Sequence, residues 1–165
     1  MYYSFFFEGG EDNCYVFETD NKFAYEILFR PSGYLLESKI KSEITDNVFE
    51  FIIKNVYKPE NLRPPLDSKI PLTVGHIFND FFKRNNSTIC IYFCDSSDAR
   101  QAVRMKKFNQ WWQQLKPVGY IKIEETLVDS KNIEYPIAMI IKTSNPYKME
   151  IIEAFLAIAY EENEK

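Results

Sequence analysis

Residues 88–115 read TICIYFCDSSDARQAVRMKKFNQWWQQL, and this stretch decides the fold. Ile89 to Phe93 is a β-branched and aromatic run of strand length. Beyond the polar corner Asp95-Ser96-Ser97-Asp98 the apolar residues recur every three or four positions, which predicts a helix over Ser97–Leu115. A strand feeding a helix through an acidic turn belongs to a layered fold of sheet and helix, not to an all-helical or all-β chain. The same unit gathers two carboxylates (Asp95, Asp98), two arginines (Arg100, Arg104), Gln101 and both tryptophans.

Outward from this unit the chain alternates strand and helix signals. Pro117 and Gly119 close the helix, and Gly119–Val128 with Ile133–Thr143 predict a hairpin around Asp129-Ser130-Lys131-Asn132. Asn145-Pro146 opens a last helix with Ile151, Ile152, Phe155 and Ile158 as its buried stripe. Towards the N-terminus, Val74, Ile77, Phe78, Phe81 and Phe82 predict a helix starting near Thr73. Ile44, Val48, Phe51, Ile52 and Val56 also recur at helical spacing, so a further helix is expected there. The prolines of residues 58–65 break that helix and read as a surface loop. The first forty residues form an expected meander: Tyr2–Glu8, Cys14–Glu18 and Phe23–Arg30 are aromatic or β-branched runs separated by turn residues. The expectation is a single α+β domain over residues 1–165. It comprises an N-terminal antiparallel meander, two helices, then strand-helix-strand-strand-helix, with the helices mainly on one face of the sheet.

Composition narrows the function. The 165 residues are 45% hydrophobic and 16% aromatic, which suits a folded core and argues against disorder. A net charge of -4 gives no long-range attraction for nucleic acid or anionic lipid, so neither is an expected partner. No apolar run approaches membrane-spanning length. Three cysteines (Cys14, Cys90, Cys94) and the lack of a basic, cleavable leader in MYYSFFFEGG point to free thiols in a reducing cytoplasm. Without a CxxC or Cys/His cluster no metal and no cofactor is expected. His76 is the sole histidine and lies on an amphipathic helix, where a structural role is the plainer reading.

On a helix each residue advances about 100°, and that places Arg104 and Gln101 with Phe108, Trp111 and Trp112, opposite Lys106 and Lys107. A guanidinium on that side needs a carboxylate or an anion, because an unpaired buried charge costs several kcal/mol. Asp95 and Asp98 lie at the helix start, where the macrodipole favours negative charge. In one reading Asp95, Ser96 or Ser97 caps the helix, Asp98 complements the dipole, and Arg104 is tied to a structural carboxylate such as Glu124 or Glu125; in the other Asp95 and Asp98 are part of a ligand corner. In the second case Arg100, Gln101 and Arg104 grip a phosphate or carboxylate, and Asp95 and Asp98 act as acid/base groups or hold Mg²⁺ with Glu124 or Asp129.

The string Cys94-Asp95-Ser96-Ser97-Asp98 is followed by Arg100-Gln101, Arg104, Phe108 and Trp111. The chain also carries Phe6-Phe7-Glu8-Gly9-Gly10 and Phe29-Arg30-Pro31-Ser32-Gly33-Tyr34. Together these motifs resemble a family of small bacterial proteins classed as a domain of unknown function. The resemblance implies a bacterial cytoplasmic protein and carries over no catalytic residue. No nucleophile–base pair is visible. The leading expectation is therefore a non-catalytic interaction protein with a protein partner. The alternative is an enzyme or small-ligand sensor binding an anion at Asp95, Asp98, Arg100, Gln101 and Arg104.

Overall fold

The computed structural model describes residues 1–94 and 97–164, with residues 61 and 161–164 described through their backbone alone. Among these residues the chain runs β1 (Phe5–Gly9), β2 (Cys14–Glu18), β3 (Ala24–Pro31), α1 (Ser42–Thr45), β4 (Val48–Tyr57) and α2 (Lys69–Phe82). It continues with β5 (Ile89–Phe93), α3 (Gln101–Leu115), β6 (Tyr120–Val128), β7 (Glu134–Lys142) and α4 (Lys148–Glu164). The fold is α+β, with one mixed seven-stranded sheet in the order β1-β2-β3-β4-β5-β7-β6. The predicted meander and the strand-helix-strand-strand-helix tail are both present. The backbone contacts define two compact units, Met1–Arg30 with Phe51–Asn85 and Pro31–Glu50 with Asn86–Lys165.

In the first unit β1, β2 and β3 pair antiparallel, with Phe5 opposite Phe17 and Tyr15 opposite Ile27. The β1–β2 turn needs φ of +78° at Gly9 and +75° at Gly10, values that only glycine adopts without strain. Alternation sends Tyr15, Phe17, Tyr25, Ile27 and Phe29 to one buried face, as period two requires. The aromatic side of α2 lies against that face, where the rings of Phe29 and Phe81 stack at 3.9 Å. The helix starts at Lys69, earlier than expected. Pro71 is no obstacle, because the first helical turn has no N–H partner to lose. Polar anchors complete the unit: Tyr3 N–H donates to Thr73 Oγ1 at 2.9 Å and Tyr15 O–H to Asp80 at 2.7 Å.

In the second unit the start of β4 pairs parallel with β5, β5 pairs antiparallel with β7, and β7 forms the predicted hairpin with β6. Asp129 closes that hairpin. Its Oδ1 accepts from Lys131 N and Ile133 N, and Asn132 takes φ of 62°. One face of this part of the sheet, Val48, Ile89, Ile91, Ile137, Met139 and Ile141, packs with Ile151, Ala154 and Phe155 of α4. The opposite face meets α3, where Tyr92 and Phe108 approach to 4.4 Å.

Two expectations change here. First, α3 and α4 lie on opposite faces of this part of the sheet rather than on one. Every residue of Ile89–Ile91 and of Ile137–Ile141 is buried, so both faces need a cover. Second, the helix expected over 44–56 is the four-residue α1 followed by the ten-residue strand β4. The strand VFEFIIKNVY is rich in β-branched and aromatic residues. As an inner strand it carries apolar residues on both sides, which erases the alternation that would identify it and leaves a spurious helical spacing.

Candidate functional site

β5 delivers the corner. The strand is buried along its first three residues, and Cys94 N–H donates to Pro136 O at 3.4 Å as the chain leaves the sheet. Asp95 falls outside the described residues. Ser97 and Asp98 form a turn, Ala99 takes φ of 55°, and α3 begins at Gln101 with Arg100 as its N-cap. The helix is therefore shorter at its start than the predicted Ser97–Leu115. A residue with positive φ cannot continue a right-handed helix, so Asp98 stands before α3 rather than in its first turn.

Asp98 and Arg104 find each other from either side of that bend. Arg104 Nη1 donates to Oδ1 at 2.8 Å and Nη2 to Oδ2 at 2.6 Å, a two-pronged pair. Asp98 Oδ1 also accepts Arg100 N–H at 3.1 Å, which fixes the turn. The Arg104 guanidinium, aided by that backbone N–H, holds the Asp98 carboxyl below the usual carboxylate range. A carboxylate so held is a poor proton acceptor at neutral pH. The side chains of Arg104 and Asp98 are 38% and 42% exposed, so the pair is a surface latch and not a buried relay.

The other predicted residues diverge. Arg100 is exposed and contributes its backbone to the turn. Gln101 Nε2 donates to Glu134 O at 3.1 Å, tying α3 to β7, while its Oε1 is enclosed without a hydrogen-bond partner. Glu124 pairs with Lys122 at 3.2 Å rather than with Arg104. Asp129 accepts the Tyr135 hydroxyl at 2.8 Å as well as its two turn N–H groups, and these hold its carboxyl low. Neither joins Asp98. Among the described residues no group of three or more His, Cys, Asp or Glu is placed to hold a metal ion, and no helix is long and apolar enough to cross a membrane.

Sequence reasoning missed Lys122. It comes from β6, its side chain is 11% exposed, and its ammonium donates to Asn109 Oδ1 and sits 5.9 Å from the rings of Phe108 and Trp112. The cation on the inner side of α3 thus comes from a strand paired across the sheet, and no spacing within the helix signals it. The expected opposition of lysines and rings also fails at one pair. Lys107 lies over Trp111 at 5.2 Å, because residues four apart share a helix face. A groove of about 850 Å³ runs between α3 and β6, lined in part by Met105, Asn109, Gln113, Glu124 and Thr126. None of Asp98, Arg100, Gln101 and Arg104 is in its lining.

Below the corner, burial pushes the Tyr92 hydroxyl and the Cys94 thiol up, so both stay protonated at neutral pH. Such a thiol is inert as a nucleophile.

No curated protein and no solved structure matches this chain. A family model matches residues 66–157, which run from the loop before α2 into α4 and contain the whole corner. The opening motifs around Phe6 and Phe29 lie outside it. With more than half of its length matched, the chain belongs to the family of unknown function DUF6169.

Proposed function

We propose that this protein works by binding a protein partner through the outer side of α4, not by catalysis. One observation carries this reading: α4 has two apolar stripes. Ile151, Ala154, Phe155 and Ala159 are buried in the core. At about 100° per residue, Met149, Leu156 and Tyr160 line up within about 40° of one another on the opposite side. They are 62%, 41% and 67% exposed. A helix apolar on two sides suits an element covered on both, and an aligned exposed stripe marks a contact surface. Glu150 and Glu153 border this stripe, so a second antiparallel copy would set carboxylates against carboxylates. A partner offering an apolar strip rimmed by Lys or Arg is the complementary surface. The corner supports a non-catalytic role, since its carboxylate and guanidinium are committed to each other. Cys14, Cys90 and Cys94 are free, which suits a reducing cytoplasm, and the family resemblance points to a bacterial cell.

A photo-crosslinking residue in place of Met149, expressed in the host cell, tests this. One discrete heterologous product, lost when Leu156→Glu is added, is the expected outcome. Products formed only between copies of this chain, or unaffected by Leu156→Glu, would remove the reading.

A second reading rests on the exposure of Arg100 and Arg104: a small phosphate or carboxylate displaces Asp98 from the guanidinium, making the corner an anion sensor. Titrating inorganic phosphate while following the arginine side-chain resonances tests it. Tighter binding by Asp98→Asn is expected. Resonances that stay still at tens of millimolar, roughly the weakest affinity a sensor could use, would dismiss it.

A further inference from the structure

The loop before α2 contains Leu62-Arg63-Pro64-Pro65-Leu66, and all five residues are exposed. Leu62 has φ of −65° and ψ of 149°, the polyproline-II conformation. Covalent structure extends that conformation. The two prolines fix φ near −65°, and each residue before a proline is excluded from the helical region. Both ends are anchored. Leu62 N–H donates to Pro59 O at 2.9 Å. At the other end Asp67 accepts the Tyr3 hydroxyl at 2.7 Å and Lys69 N–H at 2.9 Å. With three residues per turn, Leu62 and Pro65 share one edge of the segment, and Arg63 and Leu66 share the next. Leu66 is 106% exposed. A single exposed leucine needs no explanation, but two leucines flanking a stiff Pro-Pro form a ridge whose prolines restrict it towards one extended shape. Such a ridge loses little chain entropy on docking.

We propose that Leu62–Leu66 is a preformed polyproline-II ligand. It docks in an aromatic-lined groove of a partner protein, and Arg63 pairs with a carboxylate at the groove's rim. Arg63 is the only charge in the segment, so charge complementarity fixes the acidic character of that rim and the direction in which the chain lies in it. Rings that stack on proline and leucine supply the apolar floor. This segment shares no residue with the outer side of α4, and either proposal can fail without the other.

The test uses the full-length chain, isotopically labelled, titrated with three purified probes that read polyproline-II segments: an SH3 domain with an acidic specificity pocket, a WW domain and an EVH1 domain. At least one probe is expected to shift the amide resonances of Leu62, Arg63, Leu66 and Asp67. Pro64→Ala combined with Pro65→Ala should weaken that binding at least about tenfold, as should Arg63→Glu, while the remaining resonances report an intact fold. Leu156→Glu should leave it unchanged, which separates this ridge from the α4 surface. Unmoved amides with all three probes at about millimolar concentration, the limit of useful affinity, overturn the proposal. So do shifts confined to other parts of the chain, or binding that survives the double proline replacement.

Discussion

Phe155 and Leu156 are neighbours in α4 that face opposite ways, and replacing each in turn tests the whole account of that helix. Phe155 is 1% exposed and packs in the cluster that holds Ile91, Met139 and Ile151. Truncation to alanine removes roughly 150 Å² of buried ring surface, which at about 25 cal/mol per Å² is close to 4 kcal/mol. That agrees with the range of about 3–5 kcal/mol for buried phenylalanines. A domain is stable by only about 5–15 kcal/mol, so Phe155→Ala should remove a large share and lower the melting temperature by roughly 8–16 °C. Leu156→Glu places a charge on a half-exposed position with nearly equal helix propensity, and its effect should stay within about 0.5 kcal/mol. Urea unfolding followed by tryptophan fluorescence measures both, with equal m-values expected. If Leu156→Glu destabilised the protein as much as Phe155→Ala, or if Phe155→Ala cost less than about 1.5 kcal/mol, the assignment of the two stripes would be wrong.

Three further outcomes follow from local geometry. A Cβ on Gly33 would stand 2.7 Å from the Thr45 carbonyl oxygen, a backbone atom that cannot swing aside. Gly33→Ala should therefore lower stability by about 1–3 kcal/mol, and an unchanged urea midpoint would contradict this. The Asp98 carboxyl is held low by Arg104, so the advantage of the wild type over Asp98→Asn should be present above about pH 4. It should fade as pH falls through the lowered folded value, and a difference that is flat with pH counts against the latch. Burial first, and then the hydrogen bond to Asp67, push the Tyr3 hydroxyl up to about 12. Burial and Asp80 raise Tyr15 as well. A raised folded value means their contribution is complete below the unfolded value of about 10 and is lost as pH climbs through the folded ones. Ultraviolet titration should show tyrosines that ionise late in the folded chain, and two fewer of them in Tyr3→Phe with Tyr15→Phe.

Much of the site could be read in advance because its parts are local. Arg104 lies six positions after Asp98, a span that one bend closes, and a guanidinium on the ring side of α3 had to meet a carboxylate. The choice of Asp98 over Glu124 was not legible. It depends on Ala99 taking a positive φ, a backbone state that no spacing announces, while Glu124 is taken by Lys122 two residues away on the same face of β6. The relation of Lys107 to Trp111, by contrast, follows from spacing alone, since residues four apart share a face.

The amino-acid order by itself determined the meander, the β6–β7 hairpin and the helices α2, α3 and α4. In these, turn residues at the ends and apolar residues recurring at strand or helix spacing leave a local trace. Tertiary structure decided what has no such trace. An inner strand such as β4 is apolar on both sides because its cover is assembled from distant segments, and its own order cannot distinguish it from a helix. The same holds for the opposite placement of α3 and α4, which the two-sided burial of β5 and β7 imposes. Local pattern records which side of an element avoids water, and only the assembled sheet settles what lies against that side.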